Sequence, residues 1–262
     1  MKNFKVALLQ FDIALAEPDK NYQKVEQQIA LAARTHPDVI VLPEMWNTGY
    51  ALDQLKRLAD QDGVRTKAFL QQMAQQYQLN IVGGSVATQK NEHFFNTSYV
   101  FDKSGELLSE YDKVHLFGLM EEDQWITAGQ MGNSFQFAGI SAAGVICYDI
   151  RFPEWERKLM ANGQQVLFVS AQWPQPRIAQ WKILLQARAI ENQAFVVAVN
   201  RVGTANADYF NGHSLVIDPL GGKIMLDAQN EEGIFTAELD FSRLKKVRGE
   251  IPVFKDRRVD LY

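Results

Sequence analysis

GVICYDIRFPEWERKL, residues 144–159, is the stretch on which the fold turns. An apolar run of strand length reaches Cys147, a tight connection follows, and a helical pattern begins near Pro153, where proline suits the first turn of a helix. A strand that leads straight into a helix is the unit of an α/β protein. Outward in both directions the same unit recurs. Downstream, residues 165–170 (QVLFVS) read as a strand, 178–192 as a helix and 194–200 (AFVVAVN) as a strand. Upstream, 141–146 completes the strand, and 153–162 is its helix. Nearer the start, 4–11 reads as a strand. Residues 18–34 read as a helix, with Val25, Ile29 and Ala32 at helical spacing. Residues 38–43 (DVIVLP) form a short buried strand, 64–78 a helix, and 80–86 a strand running into Gly83-Gly84.

Between these halves lies a meander, with strands at 98–102 and 106–111 about a turn at Lys103-Ser104-Gly105. Strands at 214–218, 223–226 and 233–238, with a turn over 219–222, close the pattern. Adjacent strands beside alternating ones predict mixed sheets, and long central strands flanked by hairpins predict two packed sheets with helices outside. No repeat, low-complexity segment or Gly/Ser linker interrupts the 262 residues, so 1–262 is expected to be one domain.

Composition narrows the function. Hydrophobic residues at 47% and charged residues at 22% are the balance of a soluble globular protein. With a formal net charge of -4 and no dense Lys/Arg block, nucleic acid and anionic membrane are excluded as expected partners. Residues 1–16 alternate apolar and polar side chains and include Asp12, unlike a signal peptide. No stretch approaches the ~18 apolar residues of a membrane span. One cysteine permits no intrachain disulfide, which fits a reducing, cytoplasmic setting and directs attention to the thiol itself.

Three positions carry chemistry. Glu44 follows VIVLP at the carboxyl end of a buried strand, where open α/β sheets bind ligands, although a solvated loop carboxylate would read the same way. Cys147 stands at a strand-to-helix elbow, which lifts a side chain off the strand and leaves backbone N–H groups to receive an oxyanion. A lone buried structural cysteine is the competing reading. Lys113, in YDKVHLF (111–117), is either an exposed edge-strand lysine or a cation held beside the other two. Together they suffice for a two-step amide hydrolysis. A thiol near pKa ~8.5 needs a base, a carboxylate can take its proton and later return one to the departing amine, and an ammonium stabilises the anions formed.

The four histidines show no metal-ligand spacing, so no zinc site is expected. His115 shares a strand face with Lys113 and reads as a supporting residue, with a Cys147–His dyad left open. Arg151, four residues past Cys147, can pair with a substrate carboxylate or with Glu154. Tyr50 and Trp173 are candidate pocket walls, Trp173 the stronger, and Asn96 and Asp218 read as turn and hydrogen-bonding residues.

With VLPE ending in Glu44, YDKVHLF and GVICYDIRFPE in this order, the sequence resembles the nitrilase superfamily of carbon–nitrogen hydrolases. Segments 95–117, 186–203 and 212–221 extend the resemblance over essentially the whole chain. It implies an α-β-β-α sandwich, assembled as a homodimer, without a cofactor. It also implies Glu44 as general base, Lys113 as oxyanion stabiliser, Cys147 as nucleophile and the Tyr148 N–H as second oxyanion donor. A further carboxylate beside the lysine falls on Glu122 or the neighbouring Glu121. The HLF-x5-E pattern and SAQWPQPR (170–177) are most similar to the omega-amidase branch, which implies small 2-oxo acid amides as substrates. An N-carbamoyl amidohydrolase or nitrilase would carry the same triad. A non-catalytic binding protein would lack one of its members.

Overall fold

The computed structural model describes residues 4–261. Residues 1–3 and Tyr262, which the readings of 1–16 and 1–262 include, lie outside the described residues.

The apolar runs form strands buried on both faces, and this double burial sets the layers. In Phe4–Gln10, Val6 and Leu8 join one cluster while Ala7 and Leu9 join another. In Val166–Ser170 the same split separates Val166 and Phe168 from Leu167 and Val169. Val6, Leu8, Val41, Val166, Phe168 and Val197 meet between the sheets. The alternate set of the first sheet packs under the helices Pro18–Ala33 and Val64–Tyr77, through Val25, Ile29, Leu70 and Met73. That of the second packs under Pro153–Met160 and Ile178–Asn192, through Leu159, Trp181 and Leu185. A strand covered on both faces has no polar side, hence the continuous apolar runs. The result is the α-β-β-α sandwich.

The first sheet runs in the order Gly233–Leu239, Phe4–Gln10, Val39–Val41, Asn80–Val82, His93–Phe101, Val86–Lys90 and Asp60–Gln61, and Leu107–Asp112 pairs with His93–Phe101. In the second, Ile224–Asp227, Leu215–Ile217, Phe195–Val199, Val166–Ser170, Ile140–Ile146 and Ser134–Phe137 follow one another. Both are mixed: Val166 lies parallel to both Ala142 and Phe195, whereas Val197 opposes Val216 in an antiparallel pair.

The predicted elements are present, with ends moved by a few residues. The strand expected at 80–86 divides, because Gly84 turns with φ +64° where its backbone crosses the Glu44 loop. The meander strand begins at His93 and not at 98, which places Asn96 inside a strand. Ser134–Phe137, Asp60–Gln61, the hairpin Val202–Ala205/Asp208–Asn211 and the helix Ser242–Glu250 were not anticipated. They are short or strongly polar, and carry little periodicity to read. Among the described residues no helix is long and apolar enough to cross a membrane.

Candidate active site

The chemistry-bearing residues converge beyond the carboxyl ends of Val39–Val41, Leu107–Asp112, Ile140–Ile146 and Val166–Ser170. Two sheets therefore contribute to one site: Glu44 and Lys113 arrive from the first, Cys147 and Gln172 from the second.

Glu44 is fully buried, at 0% exposure. Its Oε1 accepts from Tyr50 Oη (2.7 Å), Lys113 Nζ (2.8 Å) and Asn96 Nδ2 (2.9 Å), and its Oε2 accepts from the backbone N–H of Gln172 (2.8 Å). The Gln172 amide also donates to the Glu44 carbonyl (2.8 Å), while Arg201 Nη1 donates to Gln172 Oε1 (3.0 Å). These contacts fix the carboxylate from both sheets.

Lys113 is likewise at 0% exposure, which removes the edge-strand reading. Its ammonium donates to Glu122 Oε2 (2.7 Å) and Glu44 Oε1 (2.8 Å), and more loosely to Tyr50 Oη (3.3 Å). Burial opposes the charge, but the carboxylates of Glu122 and Glu44 outweigh it and hold Lys113 protonated, above the usual lysine range. Of the two adjacent carboxylates, Glu122 is the buried one and Glu121 is exposed. Glu122 also accepts from Asn96 Nδ2 (3.0 Å) and from the Phe117 N–H (2.9 Å). Burial pushes its carboxyl above the ordinary range against the pull of Lys113.

Cys147 opens the one-turn 3-10 helix Cys147–Arg151 with φ +46°, a left-handed conformation that a non-glycine residue adopts at a cost. The strand ends at Ile146, so the reversal turns the thiol out of the sheet, as the elbow reading requires. Asp149 secures the turn, accepting from the Ile146 N–H (2.9 Å), the His115 N–H (3.0 Å) and Tyr111 Oη (2.8 Å). His115 Nδ1 lies 2.7 Å from the same carboxylate and its ring stacks on Phe152, with centroids 3.8 Å apart. His115 thus supports the elbow. The thiol is pushed well above its usual range, first by burial and then by the Glu44 charge, while Lys113 acts in the opposite sense. A neutral thiol thus rests beside a carboxylate able to take its proton, and the Tyr148 N–H follows in the first turn, where helical N–H groups lack an intrahelical acceptor.

Cys147 lies in a narrow cleft that Tyr50, Tyr148, Arg151, Gln172 and Trp173 help to line. Arg151 stacks on Trp173, its guanidinium 5.0 Å from the ring centroid, and makes no ion pair with Glu154 among the described residues. Tyr50 and Trp173 both line the cleft, and Tyr50 also bonds Glu44 directly. Asn96 corrects its reading as a turn residue: from within a strand its amide bridges the two buried carboxylates. Gln172 and Arg177, inside the quoted SAQWPQPR, and Arg201, inside 186–203, were given no role. Nothing local distinguishes them from ordinary loop residues. Among the described residues no group of three or more His, Cys, Asp or Glu side chains is placed to hold a metal ion.

Fold and site define a hydrolase of carbon–nitrogen bonds. The carbon-nitrogen hydrolase family model matches residues 5–249, and the chain belongs to that family. It is a cysteine-dependent amidohydrolase of linear amides. Over 257 residues, 98% of each chain, it is 48% identical to the 2-oxoglutaramate amidase of Bacillus subtilis (strain 168). It is 34% identical, over 98% of this chain and 97% of the other, to omega-amidase YafV of Escherichia coli (strain K12). Among solved structures, XC1258 of Xanthomonas campestris, a CN-hydrolase superfamily protein with an arsenic adduct in its active site, superposes with a TM-score of 0.91. The two are 30% identical over 98% of each chain. Saccharomyces cerevisiae Nit3, of branch 10 of the nitrilase superfamily, gives 0.91 at 27% identity over 98% of this chain and 97% of its own.

Proposed function

We propose that this enzyme removes the terminal amide of small 2-oxo acid amides, 2-oxoglutaramate and 2-oxosuccinamate, releasing the 2-oxo acid and ammonia. The observation that carries the substrate class is Arg151. Its guanidinium lines the cleft beside Cys147, and among the described residues no carboxylate pairs with it. A cation so placed suits a substrate that carries a carboxylate at the end remote from its amide. The names of the relatives in Bacillus subtilis and Escherichia coli support the same reading.

In this mechanism Glu44 takes the Cys147 proton as the sulfur attacks the amide carbon. The oxyanion is held by Lys113 Nζ and the Tyr148 N–H, with Glu122 keeping the lysine charged and oriented. Glu44 then passes the proton to the amide nitrogen, the C–N bond breaks and ammonia leaves a thioester on Cys147. Water, deprotonated by Glu44, attacks the thioester, and collapse of the second tetrahedral intermediate returns the proton to sulfur and releases the acid. Tyr50, Trp173 and Arg151 contact the remainder of the substrate. We place the activity in a single domain spanning the chain, in the cytoplasm, in a homodimer.

Ammonia release from 2-oxoglutaramate, 2-oxosuccinamate, glutamine, an N-carbamoyl amino acid and an aliphatic nitrile tests the assignment. The 2-oxo acid amides are expected to turn over fastest, and Cys147→Ala to be inactive on all five. A faster carbamoyl compound or nitrile overturns the substrate class. Full activity in Cys147→Ala overturns the mechanism.

A further inference from the structure

The walls of the Cys147 cleft carry a second guanidinium. Among the described residues that line it, only Arg151 and Arg177 are charged. Arg177 ends the short 3-10 turn Gln175–Arg177, just beyond Trp173, and its guanidinium lies 5.3 Å from the centroid of Phe117, another wall of the cleft. Its Nε is buried without a hydrogen-bond partner, and no carboxylate pairs with it among the described residues. Trp173 joins the two arginines. Its ring bears the Arg151 guanidinium, and its Nε1 donates to the Arg177 carbonyl at 2.7 Å. Two like charges on one small cleft repel each other, and a buried donor left unbonded is unfavourable. An anion lying between them relieves both.

We infer that Arg177 is a substrate-binding residue that closes, with Arg151, a two-guanidinium clamp on the 2-oxo acid end of the substrate. This rests on the substrate reading above and extends it to selectivity. A carboxylate and the adjacent carbonyl oxygen offer acceptors to both guanidinium forks. An amino acid amide such as glutamine presents an ammonium at the same place and would set a third cation beside the two arginines. The clamp therefore selects 2-oxo acid amides over 2-amino acid amides by charge, in a cleft whose other walls are aromatic, apolar or uncharged.

Arg177→Ala tests this, because the Trp173 bond uses the backbone carbonyl and survives the substitution. For 2-oxoglutaramate, kcat/KM is expected to fall at least about tenfold, chiefly through KM, as for the loss of one charge-assisted hydrogen bond. For uncharged pentanamide it should stay within about twofold, and the preference for 2-oxoglutaramate over glutamine should shrink. Equal losses on the charged and uncharged amides, or no loss on 2-oxoglutaramate, overturn the clamp. A second readout needs no turnover: protection of Cys147 from iodoacetamide by 2-oxoglutarate. The half-protecting concentration should rise at least about tenfold in Arg177→Ala, by the same arithmetic. Equal protection of both proteins, or none of the wild type, overturns the clamp. Arg177-dependent protection in an enzyme that ignores 2-oxo acid amides would sink the substrate reading and leave the clamp standing.

Discussion

At the scale of the residue, the site works by opposed charges in a dry place. Glu44 and Glu122 share one ammonium, and removing one member of such a buried set leaves its partners uncompensated. The Cys147 thiol is raised by burial and by Glu44, so the proposed base is also a charge that resists the thiolate. These roles can be separated. Glu44→Gln is expected to lower amide hydrolysis by about 10²–10⁴, the range for loss of a general base. The same substitution removes a negative charge beside the thiol, so the Cys147 pKa falls and iodoacetamide alkylation gains its pH dependence at lower pH than in the wild type. A wild-type alkylation midpoint at or below the ~8.5 of a free cysteine would contradict the raised thiol. So would an upward shift in Glu44→Gln. The raised thiol also bears on stability: the unfolded chain ionises first as pH rises, so the contribution is complete below ~8.5 and is lost as pH climbs through the folded pKa.

At the scale of the element, the carboxyl ends of strands set the positions, and a glycine sets one of their crossings. Gly84 adopts φ +64°, and a Cβ there would lie 2.0 Å from the Pro43 carbonyl oxygen, one residue before Glu44. Ser85 ties the crossing from the other side, donating its N–H to the Pro43 carbonyl at 3.1 Å and accepting from the Met45 N–H at 3.0 Å. Gly84→Ala is expected to cost about 1–3 kcal/mol for the left-handed conformation alone. That lowers the melting temperature by at least about 2 °C in a chain of this size, and hydrolysis should fall because the Glu44 loop must move. Unchanged melting and unchanged rates would refute this account. The sequence reading ran one strand through Gly83-Gly84 and missed the break there, since a crossing of distant segments leaves no periodic signal. The long helices and two-sided strands were readable because their apolar spacing repeats. The elbow was readable because Cys147 combines a strand end with Pro153. Asn96 and Gln172 were not, because their significance lies in contacts across 52 and 128 positions to Glu44, and Arg177 was not, because its place on the Cys147 cleft is set by tertiary packing.

For the whole molecule, the site exists only where the sheets are stacked, because Glu44 and Cys147 hang from different sheets. The stacking leaves the outer helix Ile178–Asn192 with one face buried through Trp181, Leu185 and Ala189. Its other face carries Ile183 and Ile190, 65% and 52% exposed and seven residues apart, hence on one stripe. Gln186 and Ala187 fill the interval, so the stripe holds no charge, and Leu220 extends it at 50% exposure. An uncharged, isoleucine-bearing stripe suits burial against its own copy across a two-fold axis, the commonest symmetry of soluble oligomers. The proposed homodimer is accordingly placed on this helix. Sedimentation equilibrium should give the wild type twice the 29.8 kDa of one chain, and Ile183→Glu combined with Ile190→Glu should halve it by setting like charges across the axis. A wild type sedimenting as a single chain would remove the dimer. A double variant that stays paired would keep the dimer and move its interface elsewhere on the surface.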